Sequence, residues 1–294
     1  MNGPERNQGE RDMGGLAELP GLETVSEQLA GAIAVIRAEL ARKDAGVAVA
    51  RPAWKNLVFT GGSGSGKSRA AEAVGRIYRG LGVLTSGHVI EVASADLPGT
   101  SSQETGRLLR EAASRARGGV LLITDAHAYA DLQVRDKQAL HCLRDVLTEL
   151  RDDLVVILAG QAGQLRSLLR ASPALATRFP LIIDFPRYTA GQLAAIFATL
   201  AGEAGFTLTP AAARKACAVL SRAHADPPGG GARLAVRLLD KATASQARRI
   251  TTARYPPTPA ALCTIRVTDI PDRLHPHDPS EAASADEQWP GQYL

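Results

Sequence analysis

The sequence predicts an α/β protein: a three-layer αβα unit around a parallel sheet, followed by a smaller all-helical unit. Three observations carry this. Short runs that are apolar throughout alternate with helix-length stretches over residues 57 to 186. A strand buried on both faces of a parallel sheet leaves that signature, whereas a half-exposed strand alternates apolar with polar. The first run stops at a glycine-rich segment that leads straight into a helix. After Pro186 the strand signals cease and helical stretches follow.

Taken in order, residues 1–20 are polar and glycine-rich and read as a flexible tail. From Glu23 to Lys43, Val25, Leu29, Ile33, Val35, Ile36 and Leu40 recur near helical spacing, predicting an amphipathic helix. Strands are predicted at Leu57–Thr60, His88–Val92, Val120–Thr124, Leu154–Ala159 and Leu181–Phe185. The crossovers are helices at Lys67–Arg79, Glu104–Ala116 and Lys137–Leu150. Gln192–Gly202, Pro210–Ala223 and Ala232–Arg248 then read as helices, the last two separated by a PPGGG turn at Pro227–Gly231. The expected organisation is a tail at 1–20, a nucleotide-binding unit at 21–186 and a helical lid at 187–255. An extension at 256–294 completes it, largely flexible, with one strand-like stretch at Leu262–Val267.

Composition narrows the class. The 294 residues are 45% hydrophobic, enough for one sizeable core and a satellite. A net charge of +4 is spread along the chain rather than gathered in a block, so it argues for no acidic partner. With 4% aromatic residues, a base-stacking platform for single-stranded nucleic acid is not expected. Cys142, Cys217 and Cys263 are too far apart for a CxxC site and suit a reducing compartment. The polar N-terminus has no apolar signal core, and no run is long enough to cross a bilayer. The expectation is a soluble cytoplasmic protein.

Gly61-Gly62-Ser63-Gly64-Ser65-Gly66-Lys67-Ser68 satisfies G-x-x-x-x-G-K-[ST] in full, with a strand before it and a helix after it. Glycines let the backbone curl so that successive N–H groups face one anion, and the helix N-terminus adds partial positive charge. Lys67 is expected to reach the β- and γ-phosphates of ATP, and the Ser68 hydroxyl to hold Mg²⁺.

A loop of this kind does not say which nucleotide-dependent class is present. The segments GLETV, LVFTGGSGSGKS, IYRGLGVLTSGHVIEV, RGGVLLITDAH, RDDLVVILAG and the FP pair at Phe185 occur in one order. In them the chain resembles the CbbX/CfxQ branch of the AAA+ ATPases, from about Gly21 to Ile270. That branch includes the red-type Rubisco activases and is related to ATPase chaperones of type VII secretion. The resemblance implies a P-loop NTPase sheet with a helical lid and an ATP-dependent ring that remodels a protein client. The ring would be a homo-oligomer or a mixture of AAA+ subunits, with the client unspecified and nothing recommending nucleic acid.

The resemblance also assigns places to residues. The third strand of the family ends in Asp then Glu, for metal-bound water and attacking water. Aligned from Gly119, Thr124 takes the first place and Asp125 the second. Shifted by one, Asp125 is the metal residue and Ala126 stands for the Glu. Either way one carboxylate is missing, so hydrolysis is expected to be slow or absent. His127 lies close by, as a possible base or as a structural residue at the strand end. Arg178 falls in the place of the arginine finger and Arg233 in that of the sensor-2 arginine. Gln161 is the one polar side chain in the sensor-1 place. The aromatic–aliphatic–Gly triplet with which the activases grip a peptide is replaced by Ser101, Ser102 and Gln103, which offer little apolar area. Two readings remain open: a working remodelling ATPase, and a nucleotide-binding regulatory or scaffold subunit with little turnover. A small-molecule P-loop kinase explains the loop but not the remaining segments.

Overall fold

The computed structural model describes residues 20–47, 55–93, 102–126, 137–150, 153–225, 230–254 and 256–274. They fall into two compact units, one drawn from the described residues up to Gly62 with Gly66–Pro186, the other from Ser63–Ser65 with the described residues from Arg187 onward.

The first unit is built on a parallel sheet of β1 (Leu57–Thr60), β2 (Val89–Ala93), β3 (Val120–Thr124), β4 (Val155–Gly160) and β5 (Leu181–Asp184), in the order β2-β3-β4-β1-β5. The three central strands are almost wholly buried, while the edge strands β2 and β5 are half exposed. This accounts for their sequences: β1, β3 and β4 are aliphatic on both faces, and the edge strand β2 can carry Glu91.

Helices cover both faces. On one, Leu121, Ile123, Val156, Leu158 and Val58 pack with Leu109 and Ala113 of α3 (Ser102–Arg115) and with Leu143 and Leu147 of α4 (Lys137–Glu149). α5 (Ala162–Ala171) and the one-turn α6 (Pro173–Ala176) complete that cluster through Leu165, Leu168, Leu169 and Leu175. The opposite face carries α2 (Lys67–Gly80), whose Gly75 lies against Val120. α1 (Glu23–Asp44) buries Val25, Leu29, Ile33 and Ile36 and packs along β5.

Sequence and structure agree on the five strands to within a residue or so at each end. They differ between β4 and β5, where no helix was expected and α5 and α6 occur. Leu165, Leu168 and Leu169 already hold the helical period there, over a segment of only 10 residues.

The second unit holds α7 (Ala190–Glu203), α8 (Pro210–Ala225) and α9 (Arg233–Thr251). Thr189 starts α7 with a capping box: its hydroxyl accepts from the Gln192 backbone amide at 3.2 Å, and the Gln192 side-chain Oε1 accepts from the Thr189 backbone amide at 2.8 Å. Beyond Pro186 the strand-like stretch expected at Leu262–Val267 holds β7 (Thr264–Ile265), which follows the one-turn α10 (Pro259–Leu262); its parallel partner β6 (Thr207–Leu208) was not expected. Two residues are too few to show a period.

Residues 256–274 are fastened to α9. Ile265 and Ile270 are buried, and the Arg249 guanidinium meets both oxygens of buried Asp269 at 2.8 and 2.9 Å. Arg249 also donates to Thr264 O at 3.0 Å, and Gln246 to Leu262 O at 2.7 Å.

Candidate nucleotide-binding site

Parallel strands deliver their carboxyl ends to one edge, where ligands of open α/β sheets gather. Here the Gly61 amide donates to Gly160 O at 2.9 Å, tying the end of β1 to the end of β4. The Ala126 amide donates to Ala159 O at 3.0 Å and brings in the end of β3. The Phe185 amide donates to Thr60 O at 2.7 Å and does the same for β5. Beneath the loop the buried Thr60 hydroxyl donates to the Asp184 carboxylate, which also faces Arg166 at 3.4 Å.

The glycine-rich segment leaves that edge and enters α2 at Lys67. Gly66, the residue before the helix, has φ of 93°, and no side chain caps the first turn. A Cβ would strain that conformation, so glycine is required here. Lys67 curls back, its ammonium donating to Gly61 O at 3.0 Å and Gly62 O at 2.6 Å. Ser68 is exposed on the first turn of α2. Amides at a helix N-terminus, a left-handed glycine without a side chain in the way and a lysine over the loop fit a polyphosphate.

At the end of β3, alternation assigns faces. Leu121 and Ile123 enter the cluster with α3 and α4, so Val120, Leu122 and Thr124 face α2. Thr124 is therefore the last strand residue on the face of the helix that carries Lys67 and Ser68. Asp125 has left the strand, is exposed, and adopts φ of 51°. His127 lies outside the described residues, as does Ser101; the backbone of Ser102 and Gln103 opens α3.

Gln161 follows Gly160 directly and is the exposed N-cap residue of α5. It stands one residue from the carbonyl that holds the loop's first amide. Arg178 is elsewhere. It precedes β5, at the amino-terminal edge of the sheet, where it donates to Leu147 O and to the Thr148 hydroxyl, each at 3.2 Å. The fold thus gathers Gly61, Gly62, Gly66, Lys67, Ser68, Thr124, Asp125 and Gln161 at one edge and leaves Arg178 at the other.

In the second unit Arg233 opens α9 and donates to the Ser63 hydroxyl at 3.0 Å. Two features of the same unit had no signal in the sequence. The Ala232 amide donates to Gly64 O at 2.8 Å, and the Tyr188 hydroxyl to Ser65 O at 3.2 Å. Neither a backbone amide nor a tyrosine following a strand announces such a partner.

Comparison with known proteins agrees with this architecture. The family model described as ATPase family associated with various cellular activities (AAA) matches residues 57–187, and the AAA lid domain model matches residues 189–281. Protein CbbX of Cereibacter sphaeroides is 33% identical over 257 residues, covering 86% of this chain and 83% of that protein. The chloroplastic ribulose bisphosphate carboxylase/oxygenase activase of Cyanidioschyzon merolae is 32% identical, covering 86% and 87%. Among solved structures, the Thermotoga maritima RuvB Holliday junction branch migration motor shares the fold, with a TM-score of 0.52 at 21% identity over 84% of this chain and 69% of that one. None of the described helices is long and apolar enough to cross a membrane. With the five-stranded parallel sheet, the glycine-rich loop and the helical lid in place, the chain belongs to the AAA+ ATPases of the CbbX/CfxQ type.

Proposed function

We propose that this chain binds ATP with Mg²⁺ and acts in a ring as an ATP-dependent protein-remodelling subunit whose turnover is slow. One observation carries the nucleotide half: Lys67 is folded over the carbonyls of Gly61 and Gly62 at the start of α2, with Gly66 left-handed behind it. Gly61 to Lys67 would embrace the phosphates, Ser68 would hold the metal, and Arg233 and Gln161 would report the nucleotide. The metal, when bound, supplies positive charge that offsets the charge developing on the transferred phosphoryl group.

Slow turnover follows from the β3 terminus. Thr124, the last residue facing α2, has a hydroxyl where the family pattern has a carboxylate. Asp125, in the place of the glutamate, is shorter by one methylene and sits on a left-handed backbone. Phosphoryl transfer depends on positioned water, and a misplacement of about 1 Å can cost roughly 100-fold in rate. Binding rests on the loop amides and Lys67 and is untouched by these changes. The ring is supported by Arg178, which the fold places away from its own loop, as a residue that completes a neighbour's site must be.

Phosphate release from Mg-ATP by the purified chain tests this reading, beside Lys67→Ala and the double variant Thr124→Asp with Asp125→Glu. The reading requires ATP binding, slow release that Lys67→Ala abolishes, and faster release in the double variant. Rapid release by the wild type that neither substitution alters would contradict it.

A further inference from the structure

Within the second unit, Ser63, Gly64 and Ser65 of the nucleotide loop are each held by a hydrogen bond. Ser63 accepts from Arg233 through its hydroxyl, Gly64 from the Ala232 amide through its carbonyl, and Ser65 from the Tyr188 hydroxyl through its carbonyl. The two carbonyl contacts have a directional consequence. In a planar trans peptide the C=O of one residue and the N–H of the next point in opposite directions. Anchoring Gly64 O therefore turns the Ser65 N–H the other way, and anchoring Ser65 O does the same for Gly66 N–H. An anion cradle needs successive amides aimed at one point, and these two carbonyls are where their aim can be set.

The fit between the partners is backbone on backbone. A Cβ on Gly64 would collide with Gly230 O, and one on Gly231 would collide with Gly64 O. Both glycines have positive φ, 70° and 54°. Gly231 is thus more than part of a loose turn: the lack of side chains at Gly64 and Gly231 is what lets Ala232 reach Gly64. Tyr188 is buried, and its hydroxyl is directed at a main-chain oxygen two residues before Lys67.

We infer that the Tyr188 hydroxyl and the Gly231–Ala232 backbone form a clasp on Gly64 and Ser65 that aims the Ser65 and Gly66 amides at the bound polyphosphate. Tyr188 and Gly231 are positioning residues: they act through the loop. The inference rests on the nucleotide reading given above and adds a control point to it.

Tyr188→Phe removes the donor and keeps the ring. In the nucleotide-free protein the Gly66 amide resonance should shift and its hydrogen exchange quicken, with the unfolding temperature unchanged within a degree or two. Mg-ADP affinity by calorimetry should fall about 3- to 10-fold, the worth of one lost hydrogen bond. Gly231→Ala should weaken Mg-ADP further and move the Ser65 amide, and it serves alone if Tyr188→Phe does not fold. A Gly66 amide unmoved by Tyr188→Phe overturns the clasp, as does a moved amide with unchanged affinity. So does a lower unfolding temperature with loop and affinity intact, which marks a packing role only. If the wild type binds neither Mg-ADP nor Mg-ATP, the nucleotide reading falls, and the amide response in the nucleotide-free chain still decides whether the clasp sets the loop.

Discussion

Thr124 and Asp125 concentrate the residue-scale argument, because a hydroxyl stands where alternation along β3 aims a side chain at the α2 face. Replacing them with Asp and Glu supplies the missing carboxylate and lengthens the other, and phosphate release should rise on the order of 10- to 100-fold with nucleotide affinity nearly unchanged. Gly66→Ala bears on the loop itself. At φ of 93° a Cβ costs about 1–2 kcal/mol, and nucleotide affinity should drop together with the unfolding temperature, which differential scanning fluorimetry reads directly. The loop was legible in the sequence because glycine spacing and Lys67 encode a backbone shape. Its supports at Tyr188 and Ala232 were not, because an acceptor carbonyl exists at every residue and only tertiary structure says which donor meets it.

Among the elements, β1, β3 and β4 were legible because strands buried on both faces must be apolar throughout, and no other role here demands that of four to six residues. Of the β6–β7 pair only β7 was legible, inside Leu262–Val267; β6 was not, since its two residues carry no side-chain pattern and its partner lies 57 residues further on. What holds β7 is the Arg249–Asp269 pair, with Asp269 2% exposed. Removing one partner of a buried pair leaves an uncompensated charge, so Arg249→Met should destabilise the lid by roughly 3 kcal/mol in urea unfolding. Burial pushes the Asp269 carboxyl up. The Arg249 hydrogen bonds, the Arg266 amide and the charges of both arginines outweigh it and hold the group below its usual value. The sign follows: the stabilisation is complete above the unfolded-state value near 3.9 and is lost as pH falls through the lower folded value. Acid titration of lid stability should show this loss in the wild type and not in Asp269→Asn.

Over the whole molecule, Arg178 divides what one chain does from what an assembly does. In its own chain it fastens the end of α4 through Leu147 O and Thr148, at an edge of the sheet away from the loop. If it also completes a neighbour's site, Arg178→Ala should leave Mg-ATP affinity within about twofold and abolish phosphate release. Mixing it with Lys67→Ala subunits should restore part of the release, because each variant supplies what the other lacks. Mass photometry with Mg-ATP should show a ring that dilution dissociates. The helical lid and the parallel sheet were readable from the order of apolar runs and helical spacing, whereas the proposed assembly depends on an arginine whose residue type says nothing about where it points.

Ring, lid and turnover alike depend on Gly61–Ser68 holding a polyphosphate. The most direct measurement is isothermal titration of the folded chain with ATP and magnesium, beside Lys67→Ala. Saturable heat at one site per chain is expected in the wild type, and its loss in the variant. Equal heats in the two proteins, or none in a wild type whose fold is verified by its cooperative unfolding, would contradict it.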